Sequence, residues 1–166
     1  EGNFVRYGLN SILVTGGTGT GKTTLVNGLI HSISELCKQD RLVIIEDTAE
    51  LQSASENVVF LRSSMFVSMN GLLRATMRLR PDRILVGEVR GPEALSLRKS
   101  WNTGHPGGGA TVHANSAYGG LTRLELLVSE ATDAAMQILI GEAVDYVIHI
   151  ARSPKGRVVK ELIRVR

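Results

Sequence analysis

The sequence predicts an α/β domain, a mostly parallel sheet flanked by helices and closed by an antiparallel hairpin. Three observations predict it. Short apolar runs alternate along the chain with longer segments whose apolar residues recur at helical spacing. Several runs are continuously apolar, as in Arg41–Glu46 (RLVIIE), which marks a strand covered on both faces. The last two runs, Val144–Ala151 and Val158–Val165, stand either side of the turn Ser153-Pro-Lys-Gly156, a spacing that suits a β-hairpin.

The elements follow in order. Ser11–Thr15 reads as a short buried strand and is followed at once by a glycine cluster, Gly16 to Gly21. Lys22–Lys38 reads as a helix, with Leu25, Leu29, Ile33 and Leu36 at helical spacing. Arg41–Glu46 and Val58–Leu61 are the next strands. Ser68–Leu79 reads as a helix ended by Pro81. Ile84–Val86 is another buried strand, and Pro92–Trp101 a helix with proline in its first turn. Gly104–Gly109 is a loop and Ala110–His113 a fifth short strand; Leu121–Ser129 and Ala134–Gly141 read as two further helices before the hairpin.

Composition bounds the function classes. A chain of 166 residues fits one domain, and at that length it can bury roughly 68–70% of its unfolded surface. With 43% hydrophobic and 21% charged residues it is neither a disordered tail, a collagen-like rod nor a coiled coil. A net charge of +3 does not by itself argue for nucleic acid or membrane. Fourteen of the 19 cations are Arg, the side chain suited to planar contact with carboxylate or phosphate. The single cysteine, Cys37, excludes an internal disulfide and a multi-cysteine zinc site, and fits a reducing cytosol. No apolar run reaches the ~18 residues that span a bilayer. The chain begins at Glu1 and not Met, which suggests an excised domain of a larger protein.

The strongest chemical signal is Gly16-Gly17-Thr18-Gly19-Thr20-Gly21-Lys22-Thr23, a full match to the phosphate-binding pattern G-x-x-x-x-G-K-[ST]. An apolar strand stands before it and an amphipathic helix after it, the context that pattern requires. Backbone N–H groups converge on a phosphate only where side chains stay out of the way, hence the glycines. The helix starting near Lys22 aims its positive end at the same anion. Lys22 adds a point charge, the Thr23 hydroxyl is suited to Mg²⁺, and Thr24 is a second hydroxyl beside it.

Acids come next. Ile84-Leu-Val-Gly87-Glu88 places glycine where many such proteins hold magnesium with Asp, so Glu88 is left as metal partner or as the group that polarises water. Glu46-Asp47-Thr-Ala-Glu50 stands at the carboxyl end of the second strand, where ligands bind in open α/β sheets. Four carboxylates meeting at one mouth repel unless a cation stands among them, which supports a Mg²⁺-nucleotide site. His113 ends the fifth strand, placed to sense phosphate or orient water; His105 is a second candidate. Arg74 and Arg78 share a helix face, with Arg80, Arg83 and Arg90 close behind. These arginines fit either ion pairs with nearby acids and the rim of a subunit contact, or a group reaching a neighbour's phosphate, for which Arg90 and Arg74 are the first candidates. Trp101 is expected in the core or an interface, and Cys37 to be inert.

In that order the motifs resemble the secretion-superfamily traffic ATPases of type II and type IV secretion, type IV pili and conjugation. GGTGTGKT at 16–23, IIEDTAEL at 44–51, ILVGEVRG at 84–91 and TGHPGGGATVHAN at 103–115 stand as that family's Walker A loop, acidic box, Walker B strand and His box. RPDRILVGEVRGPEAL and WNTGHPGGGATVHAN are especially similar to the TrbB-type conjugal-transfer branch. The resemblance implies a RecA-like P-loop fold that binds and hydrolyses ATP with Mg²⁺. It implies Lys22 and Thr23 on phosphate and metal, Glu88 first and Glu50 second as the group that positions water, and His113 with His105 as nucleotide sensors. It further implies a homo-hexamer of the full-length protein, cytoplasmic and peripheral at the inner membrane beside secretion or conjugation channel components. Family members carry an N-terminal domain that packs on the nucleotide; few residues precede the first strand here. The expectation is therefore that residues 1–166 form one C-terminal P-loop ATPase domain, and that hydrolysis by it alone is weak or absent. The alternative, a RecA-like motor driven by nucleic acid, predicts direct DNA binding that falls steeply with salt. A regulatory module that binds nucleotide without useful turnover is a third.

Overall fold

A computed structural model describes residues 10–132 and 137–165 of the chain. The strands are β1 (Ile12–Thr15), β2 (Leu42–Glu46), β3 (Val58–Arg62), β4 (Arg83–Val86), β5 (Gly109–Val112), β6 (Tyr146–Ser153) and β7 (Gly156–Arg164). They form one sheet of 7 strands in the order β3-β2-β4-β5-β1-β6-β7. Every pairing is parallel except β6 with β7, which is antiparallel with a register shift between His149 and Ile150. The helices are α1 (Lys22–Leu36), α2 (Met69–Thr76), α3 (Glu93–Asn102), α4 (Ala117–Ser129) and α5 (Gln137–Ala143).

The continuous apolar runs arise because both sheet faces are covered. Leu13, Val43, Ile45, Ile84 and Val86 point to one face, under Leu73 of α2, Leu97 and Trp101 of α3, Leu124 and Leu127 of α4 and Ile140 of α5. Their strand neighbours Val14, Leu42, Ile44 and Leu85 point to the other, under Val26 and Ile30 of α1. All nine strand residues are at most 1% exposed. Among the described residues, one helix thus covers one face and four cover the other.

Boundaries differ from expectation where side-chain hydrogen bonds decide them. α2 starts after Ser68, whose hydroxyl accepts the Gly71 N–H, and passes into a 3₁₀ turn, Met77–Leu79, that ends on Arg80 in the left-handed region (φ 52). α4 starts at Ala117, ahead of the expected Leu121: Ser116 caps it by accepting the Gly119 N–H at 2.9 Å. The helix runs through Gly119-Gly120 because a Cβ on Gly120 would stand 2.2 Å from Thr15 Cγ2, so glycine alone lets α4 lie on β1. β5 ends at Val112, leaving His113 in the loop beyond it. The first residues of the expected helix Ala134–Gly141 lie outside the described residues; its described part is α5.

Parallel strands put all their carboxyl ends at one edge. The glycine loop after β1, the acidic loop after β2, Gly87-Glu88 after β4 and His113 after β5 are thereby brought to one rim from four distant segments.

Candidate nucleotide-binding site

The loop Gly16–Gly21 turns between β1 and α1 with Gly19 at φ 68 and Gly21 at φ 99, conformations that a side chain would strain. Thr20 turns back into the loop, donating its hydroxyl to the Gly17 carbonyl at 2.9 Å. α1 then begins with Gly21 at its cap position, with no side-chain cap and no acid in the first turn. Its first N–H groups and the positive end of its dipole are left to an anion. Lys22 lies back along the same loop: Nζ donates to the Gly16 and Gly17 carbonyls at 2.9 and 3.0 Å. Burial pushes its pKa below the ordinary 10.5, with Glu88 pulling the other way.

A cavity of about 220 Å³ opens beside this lysine, lined by Thr18, Gly19, Lys22, Thr23, Glu46, Asp47, Glu50, Glu88, Arg90 and His113 among others. Thr23 donates its hydroxyl to Glu50 Oε2 at 3.0 Å. Asn27, one helical turn further along α1, ties the acidic loop down from both sides: Nδ2 donates to the Glu50 carbonyl at 3.1 Å and Oδ1 accepts the Gln52 N–H at 2.9 Å. Arg90 holds two acids at once, donating Nε to Glu88 Oε2 at 2.9 Å and Nη1 to Asp47 at 2.8 Å. The bond to Glu88 raises the arginine's pKa, so it stays charged. Glu88 is thereby pinned by one oxygen. Its other oxygen, Oε1, stands 2.8 Å from His113 Nε2, an ion pair when the imidazole is protonated, and is otherwise buried without a partner.

Glu46 does something else. It is 3% exposed, and Oε2 accepts the Glu50 and Leu51 N–H groups at 3.0 Å each, so its carboxylate holds the acidic loop in shape. It also accounts for Gly87: a Cβ there would stand 3.1 Å from Glu46 Cβ. Thr24 lies on the far flank of α1, outside this cavity, in a groove beneath the hairpin. His105 is not brought to the rim; its Nδ1 bonds the Pro81 carbonyl at 2.7 Å, before β4, at the end opposite Glu88. Arg74 lines a separate groove between α2 and α3. Trp101 is buried, and its Nε1 donates to the Ile84 carbonyl at 3.4 Å.

Thr23, Glu50 and Glu88 supply the hard oxygen donors that magnesium prefers. Among the described residues no three His, Cys, Asp or Glu side chains form a cage for a metal. The set therefore fits an ion shared with phosphate oxygens and water, the usual habit of magnesium. Two contributions carried no local signal. Arg152 of β6 donates Nε to the Gly19 carbonyl at 3.1 Å across 133 residues, and buried His149 bonds Thr15 Oγ1, the last side chain before the loop, at 2.9 Å. Asn27 was findable, since it follows Thr23 by four on a helix.

The family model described as "Type II/IV secretion system protein" matches residues 3–162. Conjugal transfer protein TrbB of Rhizobium radiobacter is 57% identical over 168 residues, covering 99% of this chain and 52% of that protein. A probable conjugal transfer protein TrbB of Sinorhizobium fredii is 56% identical over 155 residues, 93% of this chain and 48% of that one. Among solved structures, the VirB11 ATPase of the Brucella suis type IV secretion system, in complex with sulphate, superimposes with a TM-score of 0.86 at 32% identity, covering 97% of this chain and 50% of that one. The pilus retraction motor PilT with bound ADP does so with a TM-score of 0.74 at 27% identity, over 94% and 47% of the two chains. The chain spans about half the length of the curated relatives it matches.

Proposed function

The chain belongs to the type II/IV secretion system protein family, and we propose that it is the ATP-hydrolysing motor domain of a machine for conjugal DNA transfer or type IV secretion. One observation carries this: the phosphate loop's lysine and threonine share a cavity with Glu50 and with a Glu88 held at Oε2 by Arg90 and met at Oε1 by His113. The reaction is hydrolysis of ATP to ADP and phosphate.

The loop amides, the α1 N-terminus and Lys22 hold the polyphosphate and offset its charge. Thr23, with Glu50 and Glu88 around it, would hold Mg²⁺, which supplies charge neutralisation of the phosphates when bound. Arg90 fixes Glu88 through Oε2 and His113 meets Oε1 at 2.8 Å, so the carboxylate is held in the cavity wall, and Glu88 is the group we assign to orient a water and accept its proton. His113, at 2.8 Å from Oε1, is the group we assign to sense the phosphate. Glu46 and Asn27 position the acidic loop without touching the reacting atoms. Arg90 works within its own cavity; Arg74, exposed on α2, is the arginine we assign to contact with a neighbouring copy.

The assembly we propose is a homo-hexamer of the full-length protein, cytoplasmic and peripheral to inner-membrane channel components. No helix among the described residues is long and apolar enough to cross a membrane. In the hexameric full-length protein, Lys22→Ala is expected to abolish nucleotide binding, and Glu88→Gln to retain binding while phosphate release falls by about 10²–10⁴-fold. Unchanged phosphate release in both variants would overturn the assignment. Hydrolysis that requires DNA, and loses that stimulation steeply with salt, would favour a nucleic-acid motor instead.

A further inference from the structure

The glycines of the phosphate loop have a second reason to be glycine, and it comes from the far end of the chain. β1 ends at Thr15, paired with His149 of β6, but β6 runs on through Ile150–Ser153 beside the loop. The hairpin register shifts at this point: His149 pairs with Glu161 and Ile150 with Val159, so Lys160 of β7 is the extra residue. A bulge of this kind bends its strand and re-aims the side chains beyond it. Loop glycines then lie under the hairpin. A Cβ on Gly16 would stand 2.5 Å from the Ile150 carbonyl oxygen, one on Gly19 2.7 Å from Arg152 Nη2, and one on Gly21 2.8 Å from Arg157 Cδ. Ile150, Arg152 and Arg157 do not line the cavity that holds the acids, so the hairpin backs the loop from outside it.

Arg152 does more than fill space. Its Nε donates to the Gly19 carbonyl at 3.1 Å, and a bond from a charged donor is stronger than one between neutral groups. In a trans peptide the carbonyl and the following N–H point opposite ways. Turning the Gly19 carbonyl out to Arg152 therefore turns the Thr20 N–H into the loop. There it meets the Gly17 carbonyl at 3.4 Å, a long bond that a better acceptor displaces. The hairpin's own stability does not account for the arginines. Arg152 pairs directly with Arg157, and like charges directly opposite one another weaken a two-stranded ribbon. What the two side chains share is their place against the loop.

We propose that Arg152 is a positioning residue for the phosphates: through the Gly19 carbonyl it fixes the peptide that follows, so that the Thr20 N–H is set toward the polyphosphate before the nucleotide arrives. The inference rests on the nucleotide reading above and adds a part of the cradle that β6 supplies from 133 residues away. A donor already oriented costs nothing to order when the anion binds, whereas a loop free to rotate that peptide would have to be ordered first. Arg152 itself touches the loop and not the reacting atoms.

The test is calorimetric titration of this chain with Mg-pyrophosphate and with Mg-ADP, which share the diphosphate. Arg152→Ala is expected to weaken both alike, by roughly 5- to 30-fold. Arg152→Gln sets a neutral N–H where Nε now stands and is expected to recover most of that loss. Thermal unfolding without ligand is expected to be the same in the wild type and both variants, because the side chain is exposed. The inference is overturned by unchanged affinity in Arg152→Ala, by a loss confined to ADP, by an Arg152→Gln as weak as Arg152→Ala, or by a melt lowered in step with affinity. Each of these leaves the phosphate cradle standing. A wild type that binds neither ligand overturns the nucleotide reading, and this inference with it.

Discussion

Lys22 occupies a place that disfavours its own charge, which a bound phosphate would reverse. Burial lowers its pKa in the folded chain, whereas unfolded it titrates near 10.5. Between the lowered value and 10.5 the unfolded chain holds more of this proton than the folded one, so Lys22 lowers stability at neutral pH and that loss is recovered as pH rises through the window. An anion restores the charged form. Binding of Mg-ADP at alkaline pH is therefore expected to take up protons, read as a difference in calorimetric heat between two buffers of unlike ionisation enthalpy; no difference would place the lysine away from the phosphates. The carboxylates divide by surroundings and not by type. Glu46, 3% exposed, spends an oxygen on two backbone N–H groups, while Glu88 meets side chains only, Arg90 at Oε2 and His113 at Oε1. Both stand as acids at a strand's carboxyl end in the sequence, which carries no mark of which one is spent on backbone.

The elements show what glycine is for in this chain. The loop glycines were legible because the pattern around Lys22 is dense and local. Gly120 was not, since the reason for it is Thr15, more than a hundred positions away, whose Cγ2 would stand 2.2 Å from any Cβ. Its presence at the start of α4 also hid that helix's first turn from a search for apolar periodicity. Gly120→Ala is expected to push α4 off β1 at a cost of about 1–3 kcal/mol and, because Thr15 precedes the phosphate loop, to weaken Mg-ADP as well; denaturant unfolding and calorimetry together check this. A loss of stability with intact nucleotide affinity would show that β1 absorbs the shift. Strands, by contrast, were legible nearly to the residue. β2, with all five residues buried, can be continuous only under cover on both faces.

For the whole molecule, chemistry and anchorage lie at opposite edges of the sheet. The carboxyl edge collects the cavity; the amino edge holds Arg83, 1% exposed, whose Nε donates to Asp40 at 2.6 Å and whose Nη1 donates to the Gly107 carbonyl at 3.0 Å. Asp40→Ala removes the carboxylate that meets this buried guanidinium, an expected loss of about 2 kcal/mol, with nucleotide affinity of the remaining folded protein unchanged. Thermal unfolding and ADP titration of the same variant check both halves, and a fall in affinity would show that the two edges are coupled. The sequence by itself determined the fold class, the phosphate loop and the identity of the acids, because each is written in a short window where residue type and spacing carry the physics. Only the tertiary structure decided which acids line the cavity, that Arg90 pairs with Glu88 and Asp47 beside it, that His105 and Arg74 stand elsewhere, and that Arg152 and Arg157 of the hairpin reach the loop. Those choices depend on strand order and on close approaches between distant segments, and no local pattern of residues encodes a distance across a sheet.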